Sequence, residues 1–217
     1  MKKLDRLRFL IKYFSKHRPF ARTELVYNNP FELIVAVVLS AQCTDKRVNI
    51  ITKNLFSKLS TPSLMAKAEV SFIFDLIKSC SYPMSKANYL SSLSKMLVSD
   101  FDSIVPSSLN DLQRLPGVGR KTANVVRSVY FDIPSMPVDT HVFRVANRVG
   151  LTTNSKNVLQ SEKQLVRLFP PEKLNIAHHW LILHGRYVCK ARNPDCYSCG
   201  ISSVCKEFNL KNKKGSC

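Results

Sequence analysis

Apolar residues recur every three or four positions along much of this chain, as in Leu4-Leu7-Ile11-Phe14, Val48-Ile51-Leu55-Leu59 and Leu90-Leu93-Leu97. That spacing places them on one face of an α-helix. Strict alternation bounded by hairpin turns, the mark of a half-buried strand, is hard to find. Glycine is absent from the first 116 residues and occurs only at 117, 119, 150, 185, 200 and 215, so few positions suit left-handed turns. The pattern predicts an all-α fold of about ten helices, with no internal repeat.

Several helix starts are signposted. Asn29 can cap, Pro30 fits the first helical position and Glu32 stands three after the cap, so a helix is expected from there through Leu33–Leu39. The segment is apolar all round, which calls for a buried helix at the centre of a bundle. Asp45 is expected to open the next helix, and Thr61-Pro62 and Pro106-Ser107-Ser108 mark further breaks. At 217 residues and 45% hydrophobic content the chain can build one full core or two smaller ones. Pro134 and Pro137 interrupt it where a domain crossing is expected.

Charge adds a partner to this picture. Lys and Arg number 33 against 15 Asp and Glu, a formal charge of +18, and the pI is about 9.8. Such a balance suits a polyanion, because neutralising phosphates releases condensed counterions. The basic residues are spread from Lys2, Lys3, Arg6 and Arg8 to Arg114, Arg120, Lys121 and Arg127, not confined to a tail. Charges interrupt the N-terminal apolar positions, and the longest apolar run, Leu33–Leu39, is far short of the ~20 residues of a membrane span. A soluble, intracellular (cytoplasmic), DNA-associated protein without a membrane partner is expected.

Candidate chemistry concentrates in four places. Two short amphipathic segments, Ser108–Arg114 and Arg120–Phe131, are joined by Pro116-Gly117-Val118-Gly119. Glycines there permit positive φ and bring bare amides close to a ligand, and the amides and positive dipole of the following helix suit a phosphate oxygen. The same residues would also serve an ordinary helix-turn-helix corner. Lys121 follows Arg120 near that positive helix end, and both neighbours favour the neutral amine that a nucleophile needs, although on the residues alone a phosphate-contacting lysine is the first expectation. Asp139, between Val138 and Thr140, stands where a carboxylate caps a helix. Cys189, Cys196, Cys199 and Cys205 crowd into one segment, while Cys43, Cys80 and Cys217 are scattered. In a reducing compartment four clustered thiols argue for zinc or an iron–sulfur cluster over disulfides. Only Cys196 and Cys199 form the close pair that zinc sites usually bring twice. His178, His179 and His184 lack a carboxylate at metalloprotease spacing, which leaves packing and hydrogen bonding as their expected role, and Trp180 is expected in the core.

The string Leu115-Pro116-Gly117-Val118-Gly119-Arg120-Lys121-Thr122-Ala123-Asn124-Val125-Val126 resembles the helix-hairpin-helix of the endonuclease III family of base-excision-repair glycosylases. Leu39-Ser40-Ala41-Gln42, Val138-Asp139-Thr140-His141, the stretch from His178 to Arg186 and the four cysteines resemble that family in the same order. The resemblance implies a helix-hairpin-helix glycosylase fold: one helical domain over 23–133, a second over 1–22 and 134–211, a disordered basic tail over 212–217, and DNA in the groove between the domains. It further implies that Lys121 attacks the sugar, with Asp139 facing it as the assisting carboxylate. Gln42 would fill the hole left by an extruded base. Gly117, Val118, Gly119 and Arg120, with Lys190 and Arg192 beside the cysteines, would contact DNA, and Cys189, Cys196, Cys199 and Cys205 would hold a 4Fe-4S cluster. The activity implied is that of a bifunctional DNA glycosylase/AP lyase acting on oxidised pyrimidines or abasic sites in duplex DNA; a monomer is the default expectation. An adenine-mismatch glycosylase and a non-catalytic DNA-binding module are the alternatives; Lys121 argues against the first. Relatives carry a wedge loop with Gly and Leu before Lys-Ala, whereas here it reads Cys80-Ser81-Tyr82-Pro83-Met84-Ser85-Lys86-Ala87, which leaves open the residue that enters the stack.

Overall fold

The structure, a computed structural model, describes residues 1–213. Among them are twelve α-helices and no strand: α1 (Lys3–His17), α2 (Pro30–Leu39), α3 (Asp45–Phe56), α4 (Pro62–Lys67), α5 (Val70–Ile77), α6 (Pro83–Asp100), α7 (Leu109–Arg114), α8 (Arg120–Val129), α9 (Thr140–Val149), α10 (Val158–Leu168), α11 (Pro171–Tyr187) and α12 (Lys206–Lys213), with a 3₁₀ turn at Ser202–Val204. The fold is all-α, with more helices than periodicity alone suggests. Length is one reason: α4 has six residues, too few to display a helical period. No helix of the described residues is long and apolar enough to cross a membrane.

The chain divides into two compact units, an inserted one, Thr23–Ile133, and a terminal one built from Met1–Arg22 and Pro134–Cys217. Residues 212 and 213, expected to begin a tail, complete α12, while residues 214–217 of that expected tail lie outside the described residues.

The inserted unit is organised on α2. The Asn29 side chain accepts the Glu32 N–H at 2.9 Å, and Pro30 takes the first turn, where its missing donor costs nothing. Glu32 does not close the capping box onto Asn29; its Oε2 accepts the backbone N–H of Asn28 at 2.7 Å and the Asn28 amide at 2.9 Å. Every residue from Phe31 to Leu39 is buried. With roughly 1.5–3 kcal/mol gained per large apolar side chain removed from water, this helix is the main stabilising element of its unit. α3 begins at Asp45, but the cap is Thr44, whose hydroxyl accepts the Arg47 N–H at 3.3 Å. α7 and α8 pack on each other and α8 on α2, so the turn between them rests on the core through Leu112, Leu115, Val118, Ala123 and Val126.

The terminal unit has its own core. α1 turns Leu7, Leu10 and Phe14 inward, and the Phe14 ring stacks on Trp180 of α11 with centroids 5.8 Å apart. Trp180 is buried, and its indole N–H donates to the Arg18 carbonyl at 2.9 Å. α9 packs on α11 and α12, with Val142, Val145, Ala146 and Val149 in the core.

Candidate active site

In the inserted unit, the hairpin between α7 and α8 is shaped by one glycine and left open by another. Gly117 has φ +79°, a left-handed value, and a Cβ there would stand 2.9 Å from Cβ and Cγ of Tyr89. Gly119 is extended (φ −82°, ψ 174°), so the positive φ expected of both glycines belongs to Gly117 alone. What Gly119 offers is room: nothing lies within 4 Å of where its Cβ would stand. Gly119 is also the N-cap of α8 and has no side chain to satisfy the first-turn amides, whose geometry gives them no intrahelical acceptor. Val118 works from the inside. Its side chain is buried and its N–H donates to the Leu115 carbonyl at 3.0 Å.

Arg120 and Lys121 are the first residues of α8, and both are exposed. The arrangement offers an outward helix N-terminus, an approachable backbone and two cationic side chains, which together suit an anionic strand. Gln42 belongs to the same unit. It follows α2 in an exposed turn with φ +55°, and its carbonyl accepts from the Ser81 hydroxyl.

In the terminal unit, Asp139 is the N-cap of α9. Its Oδ1 accepts the backbone N–H of His141 at 2.9 Å and of Val142 at 2.8 Å, and its Oδ2 lies 3.2 Å from His141 Nδ1. The side chain is only 14% exposed, so the carboxylate is held in one orientation by donors on both oxygens. A mostly buried carboxylate fixed in this way suits electrostatic stabilisation of a developing positive charge.

Cys189, Cys196, Cys199 and Cys205 line a single cavity of about 30 Å³, together with His184, Val149 and Phe208. This is two to three times the least volume that admits one water. Among the described residues no three of His, Cys, Asp or Glu converge to hold a single metal ion. Four thiols around one shared space are a ligand set that a metal centre could use. Burial pushes the thiols of Cys196, Cys199 and Cys205 up from their ordinary value, and the charges of neighbouring cysteines add to the rise. Binding a metal there must therefore release protons.

The loop that carries these cysteines is gripped by two arginines for which sequence reading assigned no role. Arg144 donates through Nε to the Cys189 carbonyl at 3.1 Å and through Nη2 to Gly185 at 2.8 Å. Arg148 donates to the carbonyls of Lys190 at 2.7 Å and Ala191 at 3.1 Å, and its Nε lies 3.4 Å from Glu207. Four residues apart on α9, they share a helix face; their spacing was visible, their targets were not. Lys190 is paired with Asp195 at 3.0 Å, and Arg192 is exposed. His178 and His184 are buried, the His184 ring meets the Phe14 ring edge-on with centroids 5.5 Å apart, and His184 Nε2 lies 3.6 Å from Cys199 Sγ. Burial lowers the pKa of His179 to about 4, as expected of a packed, neutral imidazole.

Comparison with known proteins places this geometry. Residues 35–171 match the family model described as HhH-GPD superfamily base excision DNA repair protein. Endonuclease III of Bacillus subtilis (strain 168) is 45% identical over 215 residues, covering 99% of this chain and 98% of that protein. Endonuclease III of Escherichia coli (strain K12) is 43% identical over 206 residues, 95% and 97% of the two chains. Among solved structures, a trapped endonuclease III–DNA covalent intermediate is similar with a TM-score of 0.92 and 42% identity, over 98% of this chain and all of the other. A thermostable thymine-DNA glycosylase, at 23% identity and a TM-score of 0.83, shares the fold. With its hairpin, its capped α9 and its four-cysteine cavity in the family's order, this chain belongs to the endonuclease III family of HhH-GPD base excision DNA repair proteins.

Proposed function

We propose that this protein is a bifunctional DNA glycosylase/AP lyase that removes oxidised pyrimidines from duplex DNA and cleaves the strand at the resulting site. The observation that carries the reading is the hairpin from Leu115 to Lys121, which presents an open glycine, a helix N-terminus and an exposed lysine in one short stretch. The backbone at Gly117 and Gly119, with Arg120, holds a phosphate without reading bases. The damaged nucleotide leaves the stack, and Gln42 occupies the space it vacates.

Lys121 then acts as nucleophile. Its neutral amine attacks C1′ of the deoxyribose, and the C1′–N bond to the base breaks, its electron pair and a proton leaving with the base. The hemiaminal opens as the C1′–O4′ bond breaks, O4′ keeping the electron pair and taking up a proton, which leaves a Schiff base between Nζ and C1′. Loss of a proton from C2′ expels the 3′ phosphate by β-elimination, and water frees the lysine. Asp139, fixed by two backbone amides, steadies positive charge at C1′ and assists proton transfer to and from the amine.

Cys189, Cys196, Cys199 and Cys205 hold a 4Fe-4S cluster, whose contribution is to tie the loop after α11 into a fixed shape. Lys190 and Arg192 stand on that loop and contribute charge to DNA binding. The support is the cavity that the four cysteines share.

Borohydride reduction tests the central step. Incubated with a duplex carrying thymine glycol or an abasic site and then reduced, the protein is expected to give a covalent protein–DNA adduct, and Lys121→Ala is expected to give none. Absence of an adduct with the unmodified protein overturns the lyase reading.

A further inference from the structure

Gln42 sits in a left-handed conformation that a non-glycine residue adopts only when its surroundings impose it. The surroundings that impose it are identifiable. Lys86, on the first turn of α6, is only 4% exposed. Its ammonium has three N–H donors and three acceptors within reach: the Leu39 carbonyl at 2.8 Å, the Ala41 carbonyl at 2.7 Å and Cys80 Sγ at 3.1 Å. The Cys80 thiol in turn donates to the Leu39 carbonyl at 3.3 Å. α2 has no basic residue in its own last turn, so Lys86 supplies from another helix the cation that its negative end favours.

The peptide planes on either side of the Gln42 Cα are both held. The Ala41 carbonyl belongs to the plane that sets φ of Gln42 and is bonded to Lys86; the Gln42 carbonyl belongs to the plane that sets ψ and is bonded to the Ser81 hydroxyl. Lys86 also reaches the neighbouring loop, its backbone N–H donating to the Tyr82 carbonyl at 3.1 Å. Tyr82 is itself left-handed, with φ +54°, and 64% exposed. A single residue thus ties the turn that carries Gln42 to the turn that carries Tyr82.

We infer that Lys86 is a positioning residue for base extrusion: its buried ammonium fixes the peptide before Gln42 and so aims the Gln42 side chain at the stack. The inference rests on the reading that Gln42 fills the vacated space. Removing the ammonium costs least where its acceptors keep other donors, and the Cys80 thiol still donates to the Leu39 carbonyl. Ala41 is exposed, so water can take over its carbonyl once the ammonium is gone. Lys86→Met should therefore fold while losing the constraint.

The test is a kinetic cycle of wild type, Lys86→Met, Gln42→Ala and the double variant. The readouts are the single-turnover rate of thymine glycol removal and the fluorescence of 2-aminopurine placed opposite the lesion. Lys86→Met is expected to slow base removal by ~10- to ~100-fold and to diminish the fluorescence change, as misplacement of a positioned group does. It should cost nothing further in the Gln42→Ala background. Losses that multiply in the double variant, or a Lys86→Met rate and fluorescence equal to wild type, overturn the inference while leaving the role of Gln42 intact. A Gln42→Ala rate equal to wild type overturns the role of Gln42 and the inference with it. Ser81→Ala, which removes the exposed tie on the other plane, is run through the same cycle in case Lys86→Met does not fold. A smaller loss that vanishes without Gln42 supports the inference, and a loss that persists without Gln42, or none at all, overturns it.

Discussion

Two glycines one residue apart in the hairpin do different work, and substitution should separate them. Gly117→Ala places a methyl group against Tyr89 at a φ of +79°, and on the order of 1–3 kcal/mol of folding stability should be lost. Gly119→Ala meets no neighbour and an ordinary backbone, so thermal unfolding should be unchanged, while the methyl group stands where a phosphate must approach. Its affinity for abasic duplex should fall about ten-fold, the worth of one charge-assisted hydrogen bond. Unaltered affinity in a titration with labelled duplex would remove the hairpin from the DNA contact. The importance of both glycines was legible in the sequence, because tight turns and bare amides demand glycine. Their division of labour was not, since it depends on Tyr89, 28 positions earlier in the chain. Lys86 was less legible still. In Met84-Ser85-Lys86-Ala87 it reads as a solvated lysine, and only the fold brings the end of α2 within reach of its ammonium.

At the scale of elements, the clearest sequence signal was α2, whose unbroken apolar stretch announced a central helix and whose residues from Phe31 to Leu39 are all buried. α4 was marked at its start by Thr61 but had no period to read, whereas α7 stood out as the short amphipathic segment Ser108–Arg114. α9 joins two chemistries: its N-cap is Asp139, and Arg144 and Arg148 further along hold the backbone of the cysteine loop. Cluster loss should act first on that loop. Cys199→Ser, or iron removal by oxidation and chelation, should abolish visible iron–sulfur absorbance and weaken duplex binding, with most of the helical circular dichroism retained. Protein purified anaerobically should contain iron and acid-labile sulfide in equal amounts; bound zinc instead would overturn the cluster assignment.

For the whole molecule, charge and proton binding set the working range. A formal charge of +18 makes duplex binding strongly salt-dependent and makes further protonation a burden. His179 sharpens that limit. Burial holds its folded-state pKa at about 4, below the ordinary 6.5 that it regains on unfolding. The unfolded chain thus binds the extra proton first. Stability from this group is complete above pH 6.5 and is lost as pH falls toward 4, by on the order of 3 kcal/mol. Thermal midpoints measured across this window should decline, and His179→Gln should flatten the decline; identical slopes for the two proteins would assign it to other groups. The discontinuous terminal unit has a consequence for biosynthesis. Arg6 donates to the carbonyl of Val204 at 3.0 Å across 198 positions of chain. At ~5–20 residues per second a ribosome needs roughly 10–40 s to traverse that distance. Until the chain passes Ile133 and completes the inserted unit, Leu7, Leu10 and Phe14 lack the core they join, which begins at Met136, and Trp180, on which Phe14 stacks, comes later still. α1 is made early and can dock only late, so the nascent chain carries an amphipathic helix with an uncovered apolar face for most of its synthesis.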